Sequence, residues 1–402
     1  MSGKLNILFI CNKSPWPPHE GGPIAMNNLI EGTLAAGHNV KVLAINTNKY
    51  NVNPANIPDK YKKQTNIELV YIDLGIKPVN AFLNLFTGKS YHVERFISNS
   101  FREKLKDVLS KQEYDIVQIE TLFMSPYIDT IREFSSASIV LRAHNIEHLI
   151  WKRVASITKN PIKKAYLSHL ANTLEKYEKA ILNKYDGIIP ISSKDEGFFK
   201  SESIKPVKTI SFGVNTSKLE NTKSSKTKNA LFHIGAMNWI PNEEGIRWFL
   251  DKVWPKVSGK LPDLELYLAG REMPNWLTNL NLKNVIVVGE VPDAYEFINS
   301  HTISIAPLFS GSGIRIKIIE SMALGKAVIS TTIGAEGIDY TIGDNILIAD
   351  DVDSYVNAII KLYTNNEFCN TIGRNARTLI FEEHNNSKLI EKMIGFYGDI
   401  LL

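Results

Sequence analysis

The chain has 402 residues, 46 Lys and Arg against 42 Asp and Glu, a formal net charge of +4, and 44% hydrophobic with 22% charged residues. Its length exceeds one ordinary hydrophobic core, so two domains are expected, and its average composition excludes collagen-like, coiled-coil and disordered chains. The two cysteines, Cys11 and Cys369, lie far apart, which excludes a disulfide scaffold and fits a reducing, cytoplasmic compartment; no stretch approaches the roughly 20 apolar residues of a membrane helix.

Taken in chain order, 6–11 is a continuous apolar run bounded by turn signals, the mark of a strand buried on both faces. A Pro/Gly loop follows at 14–23. Ile24, Leu29, Ile30 and Leu34 then recur at helical spacing until Gly37, and 40–45 is a second strand. Strand-like runs return at 67–72, 116–119, 138–141 and 187–191, with helical patterns between most of them. This alternation predicts a mostly parallel sheet covered by helices, a Rossmann-like domain. The polar stretch 216–229 has no periodicity and reads as a linker. Beyond it, strand candidates at 231–234, 264–268, 285–288, 303–306, 328–330 and 346–348 alternate with helical patterns at 243–253, 314–324 and 353–362, a second Rossmann-like α/β domain. Two such domains facing each other would form a cleft at the carboxyl ends of their strands, where ligands of open α/β sheets bind.

The segment 308–325 carries the most chemistry. A strand ends near Pro307, Gly311 and Gly313 remove side chains from a turn, and the spacing starts a helix near Ile314. Such a turn offers free backbone N–H groups at a positive helix end, which suits phosphate. Arg315 and Lys317 in a first helical turn would oppose the helix dipole unless an anion lies between, and this conflict points to a diphosphate. Lys317 and Glu320 share a helix face three residues apart, which sets a carboxylate one turn below, within reach of vicinal ribose hydroxyls; the plain alternative is a surface ion pair.

The run SGSGIRIKIIESMALGKAVIST, followed by GAEGI, resembles the donor-binding region of glycosyltransferase family 4, retaining enzymes of the GT-B fold that use nucleotide sugars. Gly21-Gly22, Ala143-His144-Asn145, Ile191-Ser192, the run Phe212 to Asn215 and the run Ile234 to Trp239 fall in the same order as in that family. The resemblance implies an acceptor-side domain over 1–212, a nucleotide-sugar domain over 213–385 and a last helix, 386–402, crossing back onto the first domain. It implies retaining transfer from a UDP-, GDP- or ADP-sugar to a glycan, lipid-linked or small-molecule acceptor, with no cofactor, no metal and no nucleic acid. His144 matches the active-site histidine near the transferred sugar. Glu320, assigned with it to catalysis, matches the second glutamate of the family's glutamate-x7-glutamate motif, which holds the ribose. Gly21, Gly22, Gly311, Gly313, Arg315 and Lys317 are expected at the donor phosphates, Gly289, Glu290, Val291 and Glu320 at the nucleoside, and Ser312, Gly313 and Ile314 at the donor sugar.

The chain also departs from the pattern. Ser312 stands where the first glutamate falls, and Ala236 and Asn242 replace the Arg and Lys of the loop opening the second domain. Arg315 and Lys317 are read as a relocated diphosphate clamp. These departures also motivate the alternative of a non-catalytic GT-B subunit that binds a nucleotide sugar or a partner.

Three rival chemistries can be weighed on the same residues. The G-x-G-x-x-G fingerprint is absent, which disfavours hydride transfer. His144 to His148 spell H-x-x-E-H, but His144 emerges from a strand rather than sharing a helix with His148, which disfavours zinc hydrolysis. Asp351-Val352-Asp353 imitates a metal-binding D-x-D but opens a helix, where capping is expected. Finally, 151–184 holds eight basic and two acidic residues, a net +6 in an amphipathic helical pattern. It reads either as a solvated face or as a basic face able to hold an anionic acceptor or to lie near anionic lipid, a peripheral contact with the inner membrane face.

Overall fold

The computed structural model describes residues 3–18, 21–75, 84–215, 227–311 and 313–402. The chain divides into two compact units, Met1–Gly213 with Asn386–Leu402, and Val214–Asn385.

Unit 1 is built on β1 (Asn6–Cys11), β2 (Asn39–Thr47), β3 (Glu68–Ile72), β4 (Ile116–Glu120), β5 (Ser138–Ala143) and β6 (Gly187–Pro190). Every pairing is parallel, in the order β3-β2-β1-β4-β5-β6. The two-residue period of a strand sends alternate side chains to opposite faces. Leu8, Ile10, Ile119 and Leu141 therefore join Phe101, Leu174 and Tyr185 on one side. Ile7, Phe9, Ile116 and Val140 join Leu29 and Ile30 on the other.

The first helix, α1 (Gly21–Ala35), begins at the glycine pair. Gly21 and Gly22 thus form its first residues rather than a turn ahead of it. A Cβ on Gly22 would lie 2.9 Å from the end of the Lys13 side chain, so the chain leaving β1 passes close to this first turn. The basic stretch is likewise two helices, α2 (Glu147–Ile157) and α3 (Pro161–Ile181), not one. The residue before a proline is driven out of helical conformation, and Asn160 instead caps α3 by accepting from Lys163 N at 3.0 Å.

Unit 2 repeats the plan with β7 (Lys228–Ile234), β8 (Leu266–Ala269), β9 (Val285–Gly289), β10 (His301–Ala306), β11 (Ala327–Ser330) and β12 (Leu347–Ile348). All pairings are again parallel, in the order β12-β11-β10-β7-β8-β9. Lys228 and Asn229, read from sequence as the end of a linker, belong to β7, where Lys228 pairs with His301; residues 216–226 lie outside the described residues. Three helices of this unit, α4 (Ile240–Trp248), α5 (Ala294–Asn299) and α6 (Ile316–Ala323), supply polar side chains near the ends of its strands.

The last helix, α7 (Asn386–Leu401), packs in unit 1. Leu389, Ile390, Met393 and Phe396 join the layer formed by Met26, Leu29 and Ile30. Asn386 Nδ2 donates to Asn28 O and Asn28 Nδ2 to Gly213 O, both at 2.8 Å. The two helices meet at Gly32, where a Cβ would stand 2.7 Å from Ile390. Among the described residues no helix is long and apolar enough to cross a membrane.

Candidate active site

In unit 2 the polar cluster is organised by the loop between β10 and α6. Ser330 Oγ donates to Ala306 O at 3.1 Å, Thr331 Oγ1 donates to Leu308 O, and Gly334 N donates to Thr331 Oγ1 at 2.9 Å. The segment after β11 therefore clamps the base of the loop. Higher up, Gly311 and Gly313 adopt φ of 98° and 80°, a region that side chains rarely enter. Ser312 lies outside the described residues, and Ile314 beside it is half-buried.

Arg315 differs from the sequence expectation. Its backbone is extended, with φ −89° and ψ 93°, so it precedes α6 rather than lying in the first helical turn. It is buried, its Nη1 donates to Gly313 O, and its guanidinium lies 5.3 Å from the Trp239 ring centre. A planar cation held between a carbonyl and an aromatic face stiffens the glycine turn.

Lys317 and Glu320 do not pair with each other. Lys317 Nζ donates to Asn242 Oδ1 at 2.5 Å, and Asn242 Nδ2 holds Ala236 O at 2.8 Å. A lysine from α6 thus places its amine at the head of the β7–α4 loop. Burial, and then the Arg315 charge, hold Lys317 well below the usual lysine range. Below it, His233 is fully buried on β7 and is kept neutral first by burial and then by Lys317. Its Nδ1–H donates to Ile305 O at 2.9 Å.

Glu320 accepts from Tyr295 Oη at 3.1 Å. Burial pushes its carboxyl up to about 7, against the hydrogen bond from Tyr295. Tyr295 belongs to α5, shortly after Gly289-Glu290-Val291 at the end of β9. The structure therefore brings the β9 exit and α6 together through this phenol. Gly289 has φ 80° and its carbonyl accepts from Gly270 N at 2.8 Å; Glu290 is exposed, and Val291 packs beside Phe297.

In unit 1 the polar cluster stands at the exits of β4 and β5. His144 follows β5, and its Nε2 lies 2.6 Å from Glu120 Oε2 at the end of β4. Burial of Glu120 would raise its carboxyl, but the hydrogen bond from His144, the Arg142 guanidinium and the Gln118 amide together hold it below the usual carboxylate range. An ionised Glu120 accepts a hydrogen bond from His144 Nε2–H, which fixes the tautomer with its proton on Nε2. Gln118 Nε2 donates to Glu120 Oε1 at 2.5 Å, and Tyr397 Oη of α7 donates to Gln118 Oε1. Gly21 and Gly22 follow β1, the neighbour of β4 in this parallel sheet, and so lie toward the same carboxyl edge as His144.

The second histidine of H-x-x-E-H serves another purpose. His148 Nδ1 lies 2.6 Å from Glu178 Oε2, and Glu178 also accepts from Glu147 N at 3.0 Å and His148 N at 3.2 Å. Ile146, at the start of α2, offers no side-chain cap, so a carboxylate from α3 supplies it. Glu147 beside it is pushed up to about 8 by burial and then by Glu178. Among the described residues no group of three or more His, Cys, Asp or Glu is placed to hold a metal. Asp351 caps the helix Val352–Thr364, accepting from Asp353 N and Ser354 N at 2.9 Å. Because Glu178→Ala would leave two buried amides and a histidine unmatched, it should destabilise unit 1 by about 3 kcal/mol, while Lys176→Ala on the exposed side of α3 should change little. Urea unfolding of both variants measures this, and equal stabilities would contradict the capping role.

Sequence reasoning missed Glu120 and Tyr295, placed Trp239 only in a run that resembles the family, and treated Asn242 only as a lost cation. One signal was visible: Gln118 and Glu120 interrupt an otherwise apolar strand with a period of two.

Residues 228–365 match the family described as Glycosyl transferases group 1. An uncharacterized 44.6 kDa protein in the cps region of Klebsiella pneumoniae is 24% identical over 96% of this chain and 98% of its own length. An uncharacterized glycosyltransferase of Methanocaldococcus jannaschii is 25% identical over 71% of this chain and 75% of its own. The solved structure of Anabaena Alr3699/HepE in complex with UDP covers 98% of this chain and 100% of its own, with a TM-score of 0.69 at 14% identity. The chain therefore has a GT-B fold, and the group 1 domain spanning most of unit 2 supports a glycosyltransferase.

Proposed function

We propose that this is a retaining, metal-independent glycosyltransferase of the family 4 type, moving a sugar, a hexose in the expected case, from a nucleotide sugar to a glycan, lipid-linked or small-molecule acceptor at the cytoplasmic side of a membrane. The observation that carries the reading is the cluster around α6. The Lys317 amine sits at the β7–α4 loop, and one turn along is a carboxyl held by Tyr295. A diphosphate fits the first and a ribose diol the second. In this assignment Arg315, Lys317, Gly311 and Gly313 receive the phosphates, Gly289 to Val291 and Glu320 receive the nucleoside, and Ser312, Gly313 and Ile314 are assigned to the donor sugar.

His144 is assigned to the reacting end. As the bond from the anomeric carbon to the phosphate oxygen breaks, negative charge grows on the leaving diphosphate, and fixed cations stabilise it. The acceptor hydroxyl attacks from the same face and passes its proton to the departing phosphate oxygen. The enzyme then contributes position and electrostatics rather than a nucleophile. Charge supplied by Lys317 and Arg315 fills the role a divalent cation has in other transferases. The Anabaena structure was solved with UDP, which makes UDP-sugars the first donors to test.

The test is nucleotide release from UDP-, GDP- and ADP-sugars with glycan and lipid-linked acceptors, with and without chelator. Turnover that persists in chelator is expected; binding of a nucleotide sugar with no turnover on any acceptor would favour the non-catalytic subunit instead.

A further inference from the structure

The helical hairpin of unit 1 carries a surface that the transfer chemistry does not use. Its tip joins the end of α2 at Ile157 to the start of α3 at Pro161. Ile157 is 72% exposed and Ile162 is 82% exposed, and Leu149 and Val154 are each 37% exposed. Scattered exposed apolar side chains are ordinary, but four on one hairpin are not. Leu149, Arg153 and Ile157 follow one another at i, i+4 along α2, so apolar and basic groups share a stripe.

The charge around the tip has one sign. Arg153, Lys159, Lys163 and Lys164 are exposed, and no acidic residue occurs between Glu147 and Glu175. Toward the base of the hairpin the basic groups are neutralised: Lys152 pairs with Glu175 at 2.6 Å, and Lys179 with Glu202 at 2.7 Å. Four of the eight basic residues of 151–184 thus stand around the end that also exposes isoleucine. A protein partner would need both acidic and apolar groups matched to this stripe, whereas an anionic bilayer supplies phosphate headgroups and acyl chains in that layering without further design.

We propose that this tip docks on an anionic lipid surface, with Ile157 and Ile162 entering the headgroup boundary and the lysines pairing with phosphates, and that the acceptor is the lipid-linked one of the three classes. The second part rests on the assignment of His144 to the transfer reaction. Distance supports it: α2 starts three residues after His144 and has 11 residues, so the tip is only about 16 Å further along the helix at 1.5 Å per residue. A hydroxyl on the first sugars of a lipid-linked glycan stands within that span of the membrane plane.

The experiment sediments the full chain with vesicles of phosphatidylcholine alone or with about one-third phosphatidylglycerol. Wild type should bind the anionic vesicles and not the neutral ones. The double variant Ile157→Glu/Ile162→Glu should lose at least tenfold in binding, and Lys163→Gln and Lys164→Gln about fivefold each. UDP affinity, measured by calorimetry on the same preparations, should be unchanged, which separates docking from the donor site. Equal binding by wild type and the double variant, or no binding to anionic vesicles by the wild type, overturns the docking. A dimer that Ile157→Glu dissolves, with no vesicle binding, assigns the surface to a second copy and also overturns it. Vesicle binding without any sugar transfer supports the docking and sinks the transfer reading. Transfer to soluble glycans that anionic vesicles carrying lipid-linked acceptor do not exceed overturns the acceptor class alone.

Discussion

Lys317→Ala should weaken binding of a nucleoside diphosphate by about tenfold to a hundredfold while leaving binding of the bare nucleoside unchanged. The size follows from a charge-assisted hydrogen bond to phosphate, worth about 1.5–3 kcal/mol when one partner is removed. Asn242 holds the amine in place in the absence of phosphate, so the side chain is already oriented and little ordering cost is incurred on binding. Arg315→Ala should give a loss of similar size by a different route: the guanidinium ties Gly313 O to the Trp239 face, and without it the glycine turn relaxes. Calorimetry with UDP and uridine compares the two, and equal losses for both ligands would rule out the relocated clamp.

The same helix fixes the sign of the pH dependence. Lys317 sits well below the usual lysine range, so a bound diphosphate favours its protonated form and binding takes up protons. The advantage of UDP over uridine should therefore shrink as pH rises through the lowered Lys317 pKa. Glu320 moves oppositely. Its carboxyl, pushed up to about 7, gains charge as pH climbs through that value and accepts better from ribose hydroxyls, so uridine itself should bind more tightly above about 7 than below it.

His144→Ala should lower kcat by about 10² to 10⁴ with little change in UDP affinity, as expected for a group acting on charge that develops only in the transition state. Glu120→Gln tests how the histidine is held. It keeps the shape at the end of β4 but removes the charge that fixes the Nε2–H tautomer, and it should lower kcat by about tenfold to a hundredfold with donor KM unchanged. Arg142 is buried beside Glu120 and leans on its charge, so the variant should also unfold more readily by about 3 kcal/mol. Reading kcat per folded protein, with UDP affinity as the reference, separates the two effects. A Glu120→Gln enzyme with wild-type kcat would leave Glu120 a purely structural counter-ion.

Much of the fold can be read from sequence because both sheets are parallel. Strands such as Asn6–Cys11 and His301–Ala306 are covered on both faces, so they stand out as continuous apolar runs. Helix starts were harder. The pattern 314–324 extends the helical period back to Ile314, but Arg315 leaves helical conformation to reach Gly313 O and Trp239, a tertiary demand that no local preference encodes. The break at Asn160-Pro161 was legible in principle, but the unbroken basic character of 151–184 masked it. The chemistry divides in the same way. Residues near one another in sequence, such as Gly311, Arg315, Lys317 and Glu320, were found together. Partners supplied from elsewhere were not: Glu120 is 24 residues from His144, Tyr295 is 25 from Glu320, and Asn242 is 75 from Lys317. Spacing shows which residues share a helix or a turn and is silent about the partners that other elements bring to them.

The most direct measurement is a proton NMR time course of a UDP-sugar with an acceptor glycan in the presence of chelator, followed at the anomeric signals. Donor should disappear only when acceptor is present, UDP should accumulate in step with a new glycosidic linkage, and that linkage should keep the anomeric configuration of the donor. An inverted linkage, or turnover that stops when the chelator is added, would contradict retaining, metal-independent transfer.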